Sequence, residues 1–323
     1  MSLFRKPNSV KQGLKILGYG TDGSGKSIYG LSFPEVVILD AEAKMGVYEN
    51  NPIYNKNMLG LLNTQEYEKL LQALGEISGG NVCKTFMTDS MTYLYAGMQV
   101  SSMEHEEKKA EEAGKDKEDV IVAQRGWGKI KLNVCRLRGH KAQGSSRGIN
   151  LYDTAHEKDI MQKVGKENVK IGEEPDIAKN SKHEYDVILH FKKEENIATG
   201  QMEYFAIVDK DTTNTFKVGD RINNPTYDNT FKTYIESMAN NEIVETNYDK
   251  AIENNMKEEE ERPIKFEELV KSFTSKFKDL VEKDKSNQEK VLALLKENGV
   301  TSYKDIACYD GLLKVVETID SWK

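Results

Sequence analysis

Cysteine is scarce in this chain. Cys83, Cys135 and Cys308 are the only three in 323 residues, and no two form a C-x-x-C pair. An odd, widely spaced set indicates neither a disulfide framework nor a zinc site. Long apolar runs are also missing, since no stretch approaches the roughly 18 residues of a membrane span. The opening Met1-Ser2-Leu3-Phe4-Arg5-Lys6-Pro7 lacks the apolar core of a signal peptide, so a cytoplasmic location and no membrane partner are expected. Nor is there an excess of positive charge. With 46 Lys and Arg against 53 Asp and Glu the net charge is −7, which argues against a uniformly basic nucleic-acid binder.

That charge is unevenly spread. Residues 239–323 carry 14 Lys and Arg against 19 Asp and Glu. The stretch holding Arg125, Lys129, Lys131, Arg136, Arg138, Lys141 and Arg147 contains no acid, whereas Glu104 to Asp119 just before it is strongly acidic. Such a switch of sign can focus a polyanion onto one face. A chain of this length and mixed composition has room for one large α/β domain and a smaller one.

The most informative stretch is Gly20-Thr21-Asp22-Gly23-Ser24-Gly25-Lys26-Ser27, a full G-x-x-x-x-G-K-[ST] phosphate loop. The apolar run from Leu14 to Tyr19 reads as a strand feeding it, and Lys26 to Leu31 reads as the first turns of a helix. Glycines let backbone N–H groups point at phosphate oxygens, with the helix start adding partial positive charge. Lys26 is expected to reach the β- and γ-phosphates and the Ser27 hydroxyl to ligate Mg²⁺.

Val36 to Asp40 has four apolar residues without alternation, as in a strand buried on both faces. Asn63 and Glu66 resemble a capping box before a helix carrying Tyr67, Leu70, Leu71, Leu74 and Ile77 at helical spacing, stopped by Gly79-Gly80. Val82 to Asp89 reads as a third strand ending in an acid, and Met91 to Met103 as helix. Glu104 to Asp119 reads as a loop or a solvated helix extension. Trp127, Ile130, Val134 and Leu137 mark an amphipathic helix with a basic opposite face. Ile149 to His156 reads as a fourth strand. Residues 157–182 read as a long Lys/Glu-rich connection, which in a compact domain is functional or disordered. Tyr185 to Lys192 and Met202 to Lys210 read as antiparallel strands joined around Thr199-Gly200. The expected division is a core over 1–240, a charged linker over 241–264 ending near Pro263, and an α-helical tail over 265–323.

Strand ends decide what a phosphate loop does with its ligand. Asp89 is the candidate Mg²⁺-holding carboxylate beside Ser27, although Asp89-Ser90 also suits a helix cap. Glu42, in Asp40-Ala41-Glu42, is placed to orient and polarise an attacking water. His156 is a candidate γ-phosphate sensor or a structural histidine. Tyr48 is a candidate for stacking on adenine or for core packing. Guanine specificity is disfavoured because Val208-Asp209-Lys210-Asp211 lacks the asparagine of Asn-Lys-x-Asp.

The order of phosphate loop, Val37 to Glu42, Phe86 to Ser90, Tyr152 to Lys158 and Val208 to Asp211 resembles the RecA-like ATPases, and most of all the phage-encoded ones associated with single-strand annealing and recombination. The resemblance covers about residues 10–238. It implies an α/β fold, a RecA-like P-loop core with a mainly parallel sheet, here followed by the small C-terminal helical domain. It implies Glu42 as catalytic glutamate, His156 as the residue coupling nucleotide to DNA, and Lys210 as a basic residue reaching a neighbouring subunit's γ-phosphate. Thr212 stands where the family often has a second basic residue. It also implies ATP and Mg²⁺ as cofactors, a homo-oligomer, and single-stranded DNA held by loops that map near 104–125 and 157–182. Lys158, Lys163, Lys166 and Lys170 could neutralise phosphates there, and the basic stretch Arg125 to Arg147 could extend the track. The expected function is an ATPase of phage or bacterial origin, acting on single-stranded DNA in recombination, annealing or replication, in the host cytoplasm if phage-encoded. Rival readings are a ring helicase or helicase loader, and a nucleotide-switched protein whose acidic tail recruits a protein partner.

Overall fold

The computed structural model describes residues 4, 9–79, 82–117, 120–244 and 246–322. Gly80 of the expected helix stop, most of the opening segment, and Glu118 and Asp119 of the acidic stretch lie outside the described residues.

The strand feeding the phosphate loop is β1, Lys15–Gly20, and the helix after the loop is α1, Lys26–Leu31. Successive β1 side chains enter two different cores. Ile16 joins Tyr29, Phe33, Tyr152 and Phe191 on one face, whereas Leu17 and Tyr19 join Leu39, Leu70, Phe86 and Leu137 on the other. A strand covered on both faces needs no polar alternation, which explains the unbroken apolar run. The next elements are β2 (Val36–Asp40), the short α2 (Gly46–Glu49), β3 (Met58–Asn63), α3 (Tyr67–Gly79), β4 (Thr85–Asp89), α4 (Met91–Glu112) and α5 (Gln124–Ser146). Then come β5 (Asn150–Val164), β6 (Glu167–Pro175), β7 (Val187–Asn196), β8 (Gln201–Asp211), β9 (Arg221–Asn223) and α6 (Lys232–Ser237).

Across the sheet the order is β3-β2-β4-β5-β1-β7-β8-β9, with β6 paired to β5 off that path. The six strands from β3 to β7 run parallel, while β5–β6, β7–β8 and β8–β9 are antiparallel. This is the expected α/β core with a mainly parallel sheet. The register sets Asp40 beside Asp89 and Gly20 beside His156, so the strand ends that matter share one edge.

Several expectations need correction. β3 was not foreseen: it is an edge strand whose residues stay partly exposed, so its apolar residues show no buried run. Asn63 closes β3 and does not cap α3; the Thr64 hydroxyl instead accepts from the Glu66 N–H at 3.0 Å. The connection over 157–182 is mostly a β-ribbon, because β5 continues past His156 and turns at Gly165 into β6. Its apolar residues Val164, Val169 and Ile171 are exposed and join no core, so pairing rests on the backbone.

The chain divides into two compact units, Met1–Thr246 and Asn247–Lys323. The second unit holds α7 (Tyr248–Lys283), α8 (Ser286–Glu297) and α9 (Tyr309–Asp320) around Phe266, Leu269, Phe273, Val291, Leu312 and Val315. The linker expected over 241–264 is therefore helix from Tyr248 onward, with Pro263 inside it. Proline removes one helical hydrogen bond. Ion pairs Lys257–Glu253 and Lys265–Glu261 and the packed Phe266 and Leu269 carry the helix through. Among the described residues no helix is long and apolar enough to cross a membrane.

Candidate functional site

β1 ends at Gly20 with φ 151°, and the loop's last glycine, Gly25, has φ 99°. A Cβ on Gly20 would stand 2.1 Å from the Phe191 carbonyl oxygen, so only glycine lets β1 turn there beside β7. Lys26 is 9% exposed, and its ammonium donates to the Gly20 and Thr21 carbonyls at 2.8 and 2.7 Å. Burial pulls its pKa down, partly countered by Asp89, Asp22 and Glu42. The Ser24 hydroxyl donates to the Thr21 carbonyl at 2.8 Å and holds the loop's curl.

Asp89, at the tip of β4, is buried between two hydroxyls. Ser27 donates to its Oδ2 at 2.8 Å, and Thr154 on the neighbouring β5 donates to Oδ1. Burial raises its pKa, and the two hydrogen bonds pull the other way. A hydroxyl and a carboxylate at this contact make a hard-oxygen donor pair of the kind Mg²⁺ takes. With the glycine cradle alongside, the residues fit a magnesium-chelated nucleotide.

Glu42 sits in a turn shaped by Asp40, whose two oxygens accept from the Glu42 and Met45 N–H groups at 3.1 and 2.8 Å. Its own Oε1 accepts from the Ser90 hydroxyl at 2.6 Å and meets His156 Nε2 at 2.8 Å; Oε2 takes the Lys44 ammonium at 2.6 Å. Burial would raise the Glu42 pKa, but the bonds from His156, Lys44 and Ser90 outweigh it and hold it at about 2. The same contact raises His156. The carboxylate is thus ionised and fixed. Sequence reasoning missed Asp40, Lys44, Ser90 and Thr154 as supporting groups; only their closeness to strand ends could have signalled them.

A cleft of about 400 Å³ joins these parts. It is lined by Asp22 to Ser27, Glu42, Lys44, Tyr48, Asp89 and His156 on one side, and by Phe191, Tyr204 and Asn224 to Thr226 on the other. Its volume falls in the roughly 300–1,000 Å³ usual for small-molecule sites. Tyr48 lies on the Glu42 side, its ring 5.4 Å from that of Tyr54. Lys210 does not join the group. It pairs with Ile188, three residues before the Phe191 that abuts the phosphate loop, and its ammonium donates to the Tyr185 carbonyl. That is the far end of the sheet, because β8 runs antiparallel to β7 and carries Lys210 away from the strand tips.

The basic helix is α5, but not all of its cations face outward. Lys141 is 2% exposed and paired with Asp153, and Arg138 reaches Ser181 and Glu184. Arg125, Lys129, Leu132 and Arg136 share an exposed stripe, with Trp127 also exposed. On the ribbon, Lys158 and Lys170 are engaged by Glu174, Asp176, Asp159 and Glu173. Lys163 and Lys166, at its turn, are exposed and have no ion-pair partner among the described residues.

Residues 12–222 match the model of a family described as an AAA domain. Among solved structures, the flagellar accessory protein FlaH from Methanocaldococcus jannaschii shares 10% identity over 66% of this chain and 85% of its own, at TM-score 0.37. A KaiC-like protein from Pyrococcus horikoshii OT3 shares 12% over 66% and 86%, at TM-score 0.38. Superpositions this loose carry no inference for this chain. No curated protein matches it.

Proposed function

The chain belongs to the AAA domain family and is a P-loop ATPase, and on that premise we propose that it hydrolyses Mg²⁺-ATP while acting on single-stranded DNA in recombination, annealing or replication. Ser27 and Asp89 would hold the magnesium ion, which supplies charge neutralisation at the β- and γ-phosphates. Lys26 binds the phosphates, and Glu42 orients and polarises the attacking water. His156, bonded to Glu42, ties that carboxylate to strand β5.

The observation that carries the DNA reading is the continuity of β5. One strand bears His156 at the catalytic glutamate and runs on into the exposed ribbon whose turn holds Lys163 and Lys166. A ligand pulling on the ribbon therefore pulls on the residue that fixes Glu42. The exposed Arg125–Lys129–Leu132–Arg136 stripe offers phosphate contacts of the kind single strands use, while Trp127 stands on the opposite side of α5. Contacts of this sort give salt-dependent binding with little sequence preference. Assembly into a homo-oligomer belongs to the same proposal. The acidic C-terminal unit suits a protein partner better than DNA.

ATPase rate with and without single-stranded DNA, together with filter binding at low salt, tests this. Stimulated turnover and salt-sensitive binding are expected. No binding at low salt and a rate indifferent to DNA would refute it. Strand displacement from a forked duplex would favour a helicase instead.

A further inference from the structure

We infer that Tyr204, Asn224 and Pro225 form the wall that holds the nucleobase, leaving Tyr48 on the side of the terminal phosphate. The inference rests on the nucleotide reading and sharpens it.

Sheet order supplies the direction. Asp89 on β4 and Glu42 after β2 stand on one side of β1, whereas β7, β8 and β9 stand on the other. A triphosphate whose terminal phosphate faces Ser27, Asp89 and Glu42 must lead its nucleoside away from them, across β1 toward β8. Asp89 and Tyr204 are on strands four places apart, roughly 19 Å at about 4.8 Å per strand. An extended nucleoside triphosphate covers such a span from terminal phosphate to base.

The chemistry of the far wall suits a base. Tyr204, 41% exposed, lies directly opposite Lys193, whose ammonium donates to the Asp22 carbonyl of the phosphate loop at 2.8 Å. The Tyr204 ring is thus on the loop's face of the sheet. Its carbonyl accepts from the Asn224 N–H at 2.8 Å, which brings Asn224 and Pro225 alongside. A phenol ring and a pyrrolidine ring offer flat apolar surfaces for stacking. The Asn224 side-chain amide has no hydrogen-bond partner among the described residues, so its donor and acceptor remain for the edge of a purine.

This wall is also fixed to the phosphate cradle. The Tyr227 N–H donates to the Ser32 hydroxyl at 2.8 Å, and the Thr230 and Tyr29 hydroxyls are 3.1 Å apart. Both ties end on or just after α1, the helix that starts at Lys26. Base wall and cradle are therefore tied to the same helix, whereas the Tyr48 ring meets that of Tyr54 beside the Glu42–Lys44 turn.

The test compares ATP with inorganic tripolyphosphate, both with Mg²⁺, by titration calorimetry of the full chain. Tyr204→Ala is expected to weaken ATP about tenfold, roughly 1.4 kcal/mol, and to leave tripolyphosphate unchanged. Tyr204→Phe should bind ATP as the native chain does, and Tyr48→Ala should shift both ligands together or neither. Photolabelling with 8-azido-ATP gives a readout that needs no variant, and label is expected within 201–211 or 224–226. Unchanged ATP affinity in Tyr204→Ala, equal loss of both ligands, or label on Tyr48 would overturn the base wall while leaving the phosphate site standing. Failure of the native chain to bind either ligand would overturn the nucleotide reading, and the base wall with it.

Discussion

Replacing Asp153 with asparagine is the most revealing single perturbation of the fold beneath the site. Asp153 and Lys141 are both almost fully buried and form an ion pair, with the Tyr185 hydroxyl donating to the same carboxylate at 2.7 Å. Burial pulls Lys141 down, but Asp153 and Glu184 more than offset it, so its pKa stands above the ordinary value. Removing the carboxylate charge strands a buried ammonium, which typically costs about 3–5 kcal/mol. Glu184 remains nearby and eases that, so the low end, about 3 kcal/mol, is expected. For a unit of this size that is roughly 6–12 °C in Tm. Lys141→Met in the same chain removes the stranded charge, and its thioether would sit beside the Met91 sulfur that Lys141 now approaches at 3.8 Å. The double variant should return to within about 1 kcal/mol of native, because the asparagine oxygen still accepts from Tyr185. The assay is urea and thermal unfolding followed by circular dichroism. A loss under about 1 kcal/mol in Asp153→Asn, or a double variant no better than the single, would refute the reasoning. Because the folded pKa of Lys141 is raised, the contribution of its ammonium is complete below about pH 10.4 and declines as pH climbs through the higher folded value.

Other outcomes follow from the site. Lys26→Ala should abolish nucleotide binding, whereas Glu42→Gln should bind ATP normally and lose about 10²–10⁴ in turnover, separable by calorimetry and a phosphate-release assay. Gly20→Ala places a methyl group against the Phe191 carbonyl, so lost nucleotide binding with lowered Tm is expected, and a variant that binds and melts like native would contradict the geometry. The raised pKa of His156 means that its charged bond to Glu42 stabilises the fold below about pH 6.5 and fades as pH rises through the raised value. Turnover should climb over that window as Glu42 is released, and His156→Asn should flatten the profile. Replacing Lys163 and Lys166 with alanine should reduce the salt slope of single-strand binding by about 1.4, at about 0.7 per phosphate contact.

The phosphate loop, β1, β2, β4 and the β7–β8 hairpin were legible because each is a local signal: a motif, a doubly buried apolar run, or strands flanking a glycine turn. β3 and β6 were not. β3 sits at a half-exposed edge, and β6 pairs through its backbone in a ribbon whose apolar residues join no core. Pro263 reads as a stop in isolation, yet packing on either side of it keeps α7 whole. Lys141 counted as one more surface cation until the fold set Asp153 beside it. Lys210 lay within a suggestive run, and antiparallel pairing set it at the end of the sheet away from this chain's own phosphate loop.

By itself, the sequence determined that a triphosphate cradle follows a buried strand, and that acids end the strands expected around it, because glycine conformation and hydrophobic burial act over a few residues. Only the tertiary structure decided which groups meet there. Ser90 and His156 reach Glu42 across separations of 48 and 114 residues, and Tyr204 faces the same cleft from a strand four places from that of Asp89. Sheet order and register set those distances, and both depend on how the first unit buries the two cores that flank its sheet.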